Sequence, residues 1–156
     1  MTDTIRITIR ALTARDRATW AQMRAALWPE ESIAAHRRAI DEILADPECW
    51  SFIAEGEDGA ALGFAEVALR KYANGCDSRP VSFLEGIWVA PQTRRQGIGK
   101  HLLAHIEAFL VAKGFRELGS DTPIDNRLSQ DAHRGWGFAE TERVVYFRKG
   151  LGGDES

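Results

Sequence analysis

The sequence predicts one α/β domain, on three observations. Hydrophobic residues make up 44% of a 156-residue chain, enough for a continuous core at a length that suits a single domain. Apolar residues alternate every second position in some segments and recur at helical spacing in others. Residues 81–121 read as strand, amphipathic helix and strand in succession, the unit that forms a right-handed parallel crossover.

The elements follow in order. Ile5, Ile7 and Ile9 alternate with polar residues and mark a first strand. Thr13 followed by Asp16 resembles a capping box, and Trp20, Met23 and Leu27 recur behind it until Trp28-Pro29 stops the run. Ile33, Arg37, Ile40 and Leu44 give a second helix ending at Asp46-Pro47. Residues 50–55 and 61–69 flank Glu57-Asp58-Gly59 as a β-hairpin, and residues 71–80 form a polar loop. Val81, Phe83, Glu85, Ile87 and Val89 alternate along a fourth strand, which puts Glu85 on one face with Ile87 and Val89. Ile98, Leu102, Ile106, Phe109 and Leu110 form one face of a third helix, ended by Gly114. Residues 115–121 give a fifth strand, Asp125 is positioned to cap a helix over 126–136, and residues 144–148 read as a last strand. A mixed sheet flanked by helices is expected, with residues 1–156 as one domain and 150–156 as a flexible tail.

The formal net charge of -3 argues against a nucleic-acid partner, which usually faces a basic excess. Two cysteines, Cys49 and Cys76, are too few for a small disulfide scaffold. The first residues lack a signal-peptide pattern and no apolar run is long enough to span a bilayer, so a cytoplasmic protein is expected. His101 and His105 share a helix face, but no third ligand is evident and no metal is expected.

The strongest chemical signal is Arg94-Arg95-Gln96-Gly97-Ile98-Gly99-Lys100, between a strand and a helix. Glycines there let backbone N–H groups close on an anion, the helix N-terminus adds partial positive charge, and Arg94, Arg95 and Lys100 add formal charge. The segment lacks the first glycine and the hydroxyl of a Walker loop, and does not fit a dinucleotide fingerprint. What remains, Arg-x-x-Gly-x-Gly, resembles the acyl-CoA pyrophosphate motif of the GCN5-related N-acetyltransferases, and the element order from residue 5 to 149 resembles that family too.

The resemblance implies acetyl-CoA as cosubstrate and splayed fourth and fifth strands with the pantetheine arm between them. It implies cofactor contacts from Arg94, Arg95, Gln96, Gly97, Ile98, Gly99 and Lys100, from the backbone of Ile87, Trp88 and Val89, and from Asn126. The Ile87 N–H would polarise the thioester carbonyl. Where many members carry a tyrosine four residues before a Gly-Phe pair, this chain has His133 before Gly137-Phe138. The acid toward the leaving thiolate is therefore open between His133 and Tyr146. A homodimer is implied by resemblance alone.

Leu27-Trp28-Pro29, the run from Tyr72 to Ser78, Phe83-Leu84-Glu85-Gly86-Ile87, Ser120-Asp121-Thr122 and the run from Glu140 to Val144 lie outside the general motif. They resemble aminoglycoside 6′-N-acetyltransferases, which acetylate the 6′-amine and so confer antibiotic resistance. Such substrates are polycations, and carboxylates around a cleft suit them. Asp121, at the carboxyl end of a parallel strand, is the candidate general base. Glu85, Asp77 and Glu142 are candidate ammonium partners, with Tyr72 on the wall and Trp28 stacking on a sugar. Exposed carboxylates that merely solvate the surface are the alternative for Asp77, Glu140 and Glu142. Two other functions remain open: acetylation of a polyamine or protein amine, and a non-catalytic acyl-CoA-binding module.

Overall fold

The computed structural model describes residues 6–94 and 96–153. Its elements are β1 (Thr8–Ala11), α1 (Arg17–Leu27), α2 (Ile33–Ala45), β2 (Cys49–Glu55), β3 (Ala61–Arg70), β4 (Val81–Val89), α3 (Ile98–Ala112), β5 (Leu118–Ser120) and α4 (Arg127–Gly135). The strands lie side by side in chain order. The first three pairings are antiparallel and β4–β5 is parallel, so the sheet is mixed, with helices against it. Of the first predicted strand, Ile5 falls outside the described residues.

β3 is central and buried from Leu62 to Val67, so its residues divide between two cores. Ala65 and Val67 join Phe52, Leu84, Leu102 and Ile106 under α3. Phe64 joins Trp20, Met23, Ile40 and Ile53 under α1 and α2. Glu66, between them, is only 4% exposed. A buried carboxylate must be paired: Trp20 Nε1 donates to Oε2 at 2.8 Å, and Arg24 Nη1 reaches both oxygens.

Short-range interactions fix the ends of these elements. Trp28 follows the last residue of α1, and Ser32 caps α2 by accepting from the Ala35 N–H at 3.0 Å. Gly59 closes the β2–β3 hairpin at φ +80. At the start of α1, the Thr13 N–H donates to Asp16 Oδ2 at 2.7 Å, and Arg10 grips both Asp16 oxygens at 2.9 and 2.8 Å while also reaching Glu55.

The Arg10 guanidinium holds the Asp16 carboxyl down at about 2, from an ordinary 3.8. A depressed carboxylate stabilises the fold above its unfolded value, and that contribution is lost as pH falls through its folded value. Asp16→Asn should therefore cost about 1–2 kcal/mol at pH 7. Urea titrations should find the difference from wild type shrinking between pH 4 and pH 2, the interval these two values define. A pH-independent difference would mean that the carboxylate charge is not the cause.

Three expectations are corrected. Asn126, not Asp125, caps α4: its Oδ1 accepts from the Ser129 N–H at 3.1 Å. Residues 144–148 form no strand: the backbone groups of a strand need a neighbouring strand to pair with, and none of the described strands lies beside them. Their side chains stand in solvent instead, Val145 at 79% and Phe147 at 92% exposure.

The third correction is in β4. Glu66 pairs with Gly86 but Val67 pairs with Leu84, so Glu85 is the extra residue of a β-bulge. The bulge reverses the alternation. Leu84, Ile87 and Val89 all face the α3 core. Phe83 and Glu85 face the other way, as does Gly86, where a Cβ would meet the Trp28 ring. Glu85 is therefore not on the face of Ile87 and Val89.

Candidate active site

β4 and β5 pair only through Ser82–Leu118, Phe83–Gly119 and Leu84–Ser120. Beyond Leu84, β4 runs five residues further, to Val89, with no strand on its outer edge among the described residues. The strands thus part after Ser120. The Ala90 N–H donates to the Leu62 carbonyl at 2.8 Å, and antiparallel hydrogen bonding repeats every second residue. The Trp88 backbone accordingly faces β3, its carbonyl 2.5 Å from where a Cβ on Gly63 would sit. The backbone of Ile87 and Val89 faces the gap. This corrects the expectation for Trp88, whose amide is committed to the sheet and whose ring packs under α1. Ile87 and Val89 keep groups able to pair with an extended ligand, as an added strand would.

The gap opens at the start of α3. Gly97 occupies the N-cap with φ +81, a left-handed conformation costly for a residue with a Cβ. The N–H groups of Ile98, Gly99 and Lys100 have no carbonyl four residues back and point out of the helix end, where an anion is favoured. The Ile98 side chain lies in the core, so only its backbone is available. Gln96 and Lys100 are exposed. Arg94 is exposed and donates from Nε to the Val89 carbonyl at 3.2 Å, across the mouth of the gap. Arg95 lies outside the described residues.

Gly99 has a second role that the motif did not reveal. It is buried, and a Cβ there would lie 2.8 Å from the Trp136 indole. Its missing side chain lets the end of α4 rest on the first turn of α3. Asn126 spends its carbonyl on capping α4 and retains only its NH₂ for a ligand.

A cleft of about 920 Å³ adjoins the parting of the strands, lined among others by Arg70, Tyr72, Ser120, Asp121, His133, Glu140, Glu142 and Tyr146. Asp121 is exposed and follows the last residue of β5, on the face opposite Ser120. Among the described residues, neither Asp121 nor Glu142 has an ion-pair partner within 4.0 Å, whereas Glu140 is taken by Arg143 at 2.5 Å and Arg134 at 3.4 Å. Asp77 does not line the cleft; its N–H donates to Glu117 at 3.0 Å. Glu85 is gripped by Arg70 at 2.8 and 2.7 Å, so it is not a free anion for a polycation. Sequence reasoning missed Arg70, although its position at the end of β3, opposite the start of β4, could have suggested it.

Trp28 stands against Gly86 at the bulge, its ring within 4.7 Å of the Arg24 guanidinium and its carbonyl 3.0 Å from His36 Nε2. One face of the indole is thus covered by Arg24. His133 turns inward: Nε2 lies 2.7 Å from Ser120 Oγ, and Nδ1 lies 2.7 Å from the Ser129 carbonyl. Ser120 was the second residue that sequence reasoning passed over, hidden by its neighbour Asp121.

Comparisons with known proteins agree with this geometry. The sequence pattern of the acetyltransferase (GNAT) family matches residues 17–138. An aminoglycoside N(6′)-acetyltransferase type 1 of Serratia marcescens is 52% identical over 134 residues, covering 85% of this chain and 92% of that protein. One of Stenotrophomonas maltophilia is 47% identical over 145 residues, covering 92% and 94%. Among solved structures, AAC(6′)-Iy in complex with the bisubstrate analog CoA-S-monomethyl-acetylneamine superposes with a TM-score of 0.88 at 43% identity, covering 94% of this chain and 99% of that one. AAC(6′)-Ih from Acinetobacter baumannii gives 0.89 at 32%, covering 94% and 100%. With the family pattern spanning both splayed strands and the helix start that faces their gap, the chain belongs to the GNAT acetyltransferase family.

Proposed function

We propose that this protein transfers the acetyl group of acetyl-CoA to the 6′-amine of aminoglycosides. The observation that carries the reading is what lies where the strands part: the cleft takes in Phe83 of β4 with Gly119, Ser120 and Asp121 at the end of β5. Among the described residues that line it, Asp121 and Glu142 have no ion-pair partner; nor has Glu117, which is held by the backbone N–H groups of Asp77 and Ser78. Acetyl-CoA fits the chain's own groups, since an extended arm can pair with Ile87 and Val89 and a pyrophosphate suits the N–H groups at Ile98, Gly99 and Lys100. The residues then divide the work. Ile87 polarises the carbonyl, Asp121 takes a proton from the ammonium, and the cleft holds the remaining ammonium groups so that one amine reaches the gap.

A primary amine on an exocyclic methylene can extend into a gap between two strands, and ring amines are held back by their neighbouring carbons. The expected product from kanamycin is therefore mono-acetylated at the 6′ nitrogen, as assigned by NMR. An analogue with a 6′-hydroxyl should bind and remain unacetylated. Acetylation mainly at a ring amine, or turnover of spermidine in preference to kanamycin, would overturn the reading.

The reading includes a homodimer in the cytoplasm. Val145, Tyr146, Phe147 and Leu151 are 74–92% exposed on an unpaired segment, and β5 is an edge strand. Apolar residues in such an array are costly to leave in water, and a second copy could cover them. Cys49 and Cys76 are free, in keeping with a reducing compartment. Sedimentation should find a dimer for the full chain and a monomer for V145K/F147K. A wild-type monomer would exclude the dimer.

A further inference from the structure

Ser120 ends β5 at the point where the strands part, opposite Leu84 and three residues short of Ile87 in register. Its hydroxyl meets His133 Nε2 at 2.7 Å, and His133 Nδ1 meets the Ser129 carbonyl at 2.7 Å. A carbonyl oxygen only accepts, so Nδ1 carries the ring proton and Nε2 presents its lone pair to the Ser120 hydroxyl. Trp136 and Phe138 pack on the imidazole at centroid distances of 5.5 and 5.1 Å. Ser120 and His133 both line the cleft. A hydroxyl is thus backed by a base, and the base by an orienting acceptor, an arrangement suited to proton movement in acyl transfer.

We propose that Ser120 is a further catalytic residue, whose hydroxyl, backed by His133, passes the surplus proton of the attacking amine to the departing sulfur. The proposal rests on the acetyl-transfer reading. After the neutral amine has formed its bond to the acetyl carbon, the nitrogen holds one proton too many. Ser120 Oγ accepts that proton while its own passes to His133 Nε2. When the C–S bond breaks with its electron pair on sulfur, the Oγ proton goes to sulfur and His133 returns its proton to Oγ. An amide and a free thiol result, the dyad is restored, and no outside reagent is consumed. Asp121 acts earlier, on the ammonium, from the opposite face of β5. His133 acts only through Ser120.

Imidazole ¹⁵N NMR on the ligand-free protein should place the His133 proton on Nδ1, and the Nε2 resonance should move in Ser120→Ala. Ser120→Ala should lower kcat about a hundredfold with the KM for acetyl-CoA unchanged. Ser120→Thr, which keeps the hydroxyl, should retain most of the rate. His133→Gln should match Ser120→Ala, and the double variant should fall no further, as for residues acting as one unit. Wild-type kcat in Ser120→Ala, equal losses in the Ala and Thr variants, or a His133 proton on Nε2 would overturn the proposal. The series is run on kanamycin and on spermidine. Wild-type turnover of spermidine alone would defeat the aminoglycoside reading, while the variants on spermidine still decide the role of Ser120.

Discussion

Ile87→Pro is expected to lower kcat/KM by about 10²–10³-fold in a protein that still folds, the cost of losing one preorganised donor at a developing oxyanion. The strand geometry makes the substitution selective. The Ile87 N–H faces the gap and takes no part in the β3–β4 ladder, so removing it breaks no sheet hydrogen bond. The side chain packs against the α3 core, and Ile87→Val, which trims that packing and keeps the N–H, is the control. Thermal melting should place Ile87→Pro near Ile87→Val, while only the proline variant loses turnover. A folded Ile87→Pro enzyme with wild-type kcat/KM would remove Ile87 from the mechanism.

Asp121→Asn keeps size and shape and removes both charge and basicity. It should lower kcat/KM about a hundredfold, the usual scale for a general base. Asp121 lies beside the parting of β4 and β5, exposed in the cleft and without an ion-pair partner among the described residues. Arg70 lies close enough to feel its charge, but spends its own hydrogen bonds on Glu85. The position suits proton removal, directly or through a water, and also suits holding an ammonium group in place. Steady-state kinetics separate the two: loss of kcat marks the base, whereas a raised KM with kcat retained marks an ammonium anchor. Near wild-type values for both would exclude Asp121 from the site.

The sequence by itself determined every element whose signal is local. Helical spacing set α1, α2 and α3, the turn at Glu57-Asp58-Gly59 set the β2–β3 hairpin, and the glycine motif marked where an anion could be received. Such signals are legible because each concerns residues a few positions apart. Tertiary structure decided what depends on partners distant in sequence. The bulge at Glu85 arises from register against β3, and it moved Glu85 onto the face of Arg70, where a predicted substrate carboxylate became half of an internal ion pair. Strand position alone does not tell which way the Trp88 amide points; the pairing of β3 with β4 turns it into the sheet and away from the gap. Gly99, inferred to face a phosphate, also makes room for Trp136 from another helix. The apolar and aromatic run at residues 144–147 suits a strand but cannot name the strand to pair with, and this chain supplies none among its described residues. Ser120 and His133 are 13 residues apart in sequence, and only the packing of α4 against β5 brings hydroxyl and imidazole within hydrogen-bond reach.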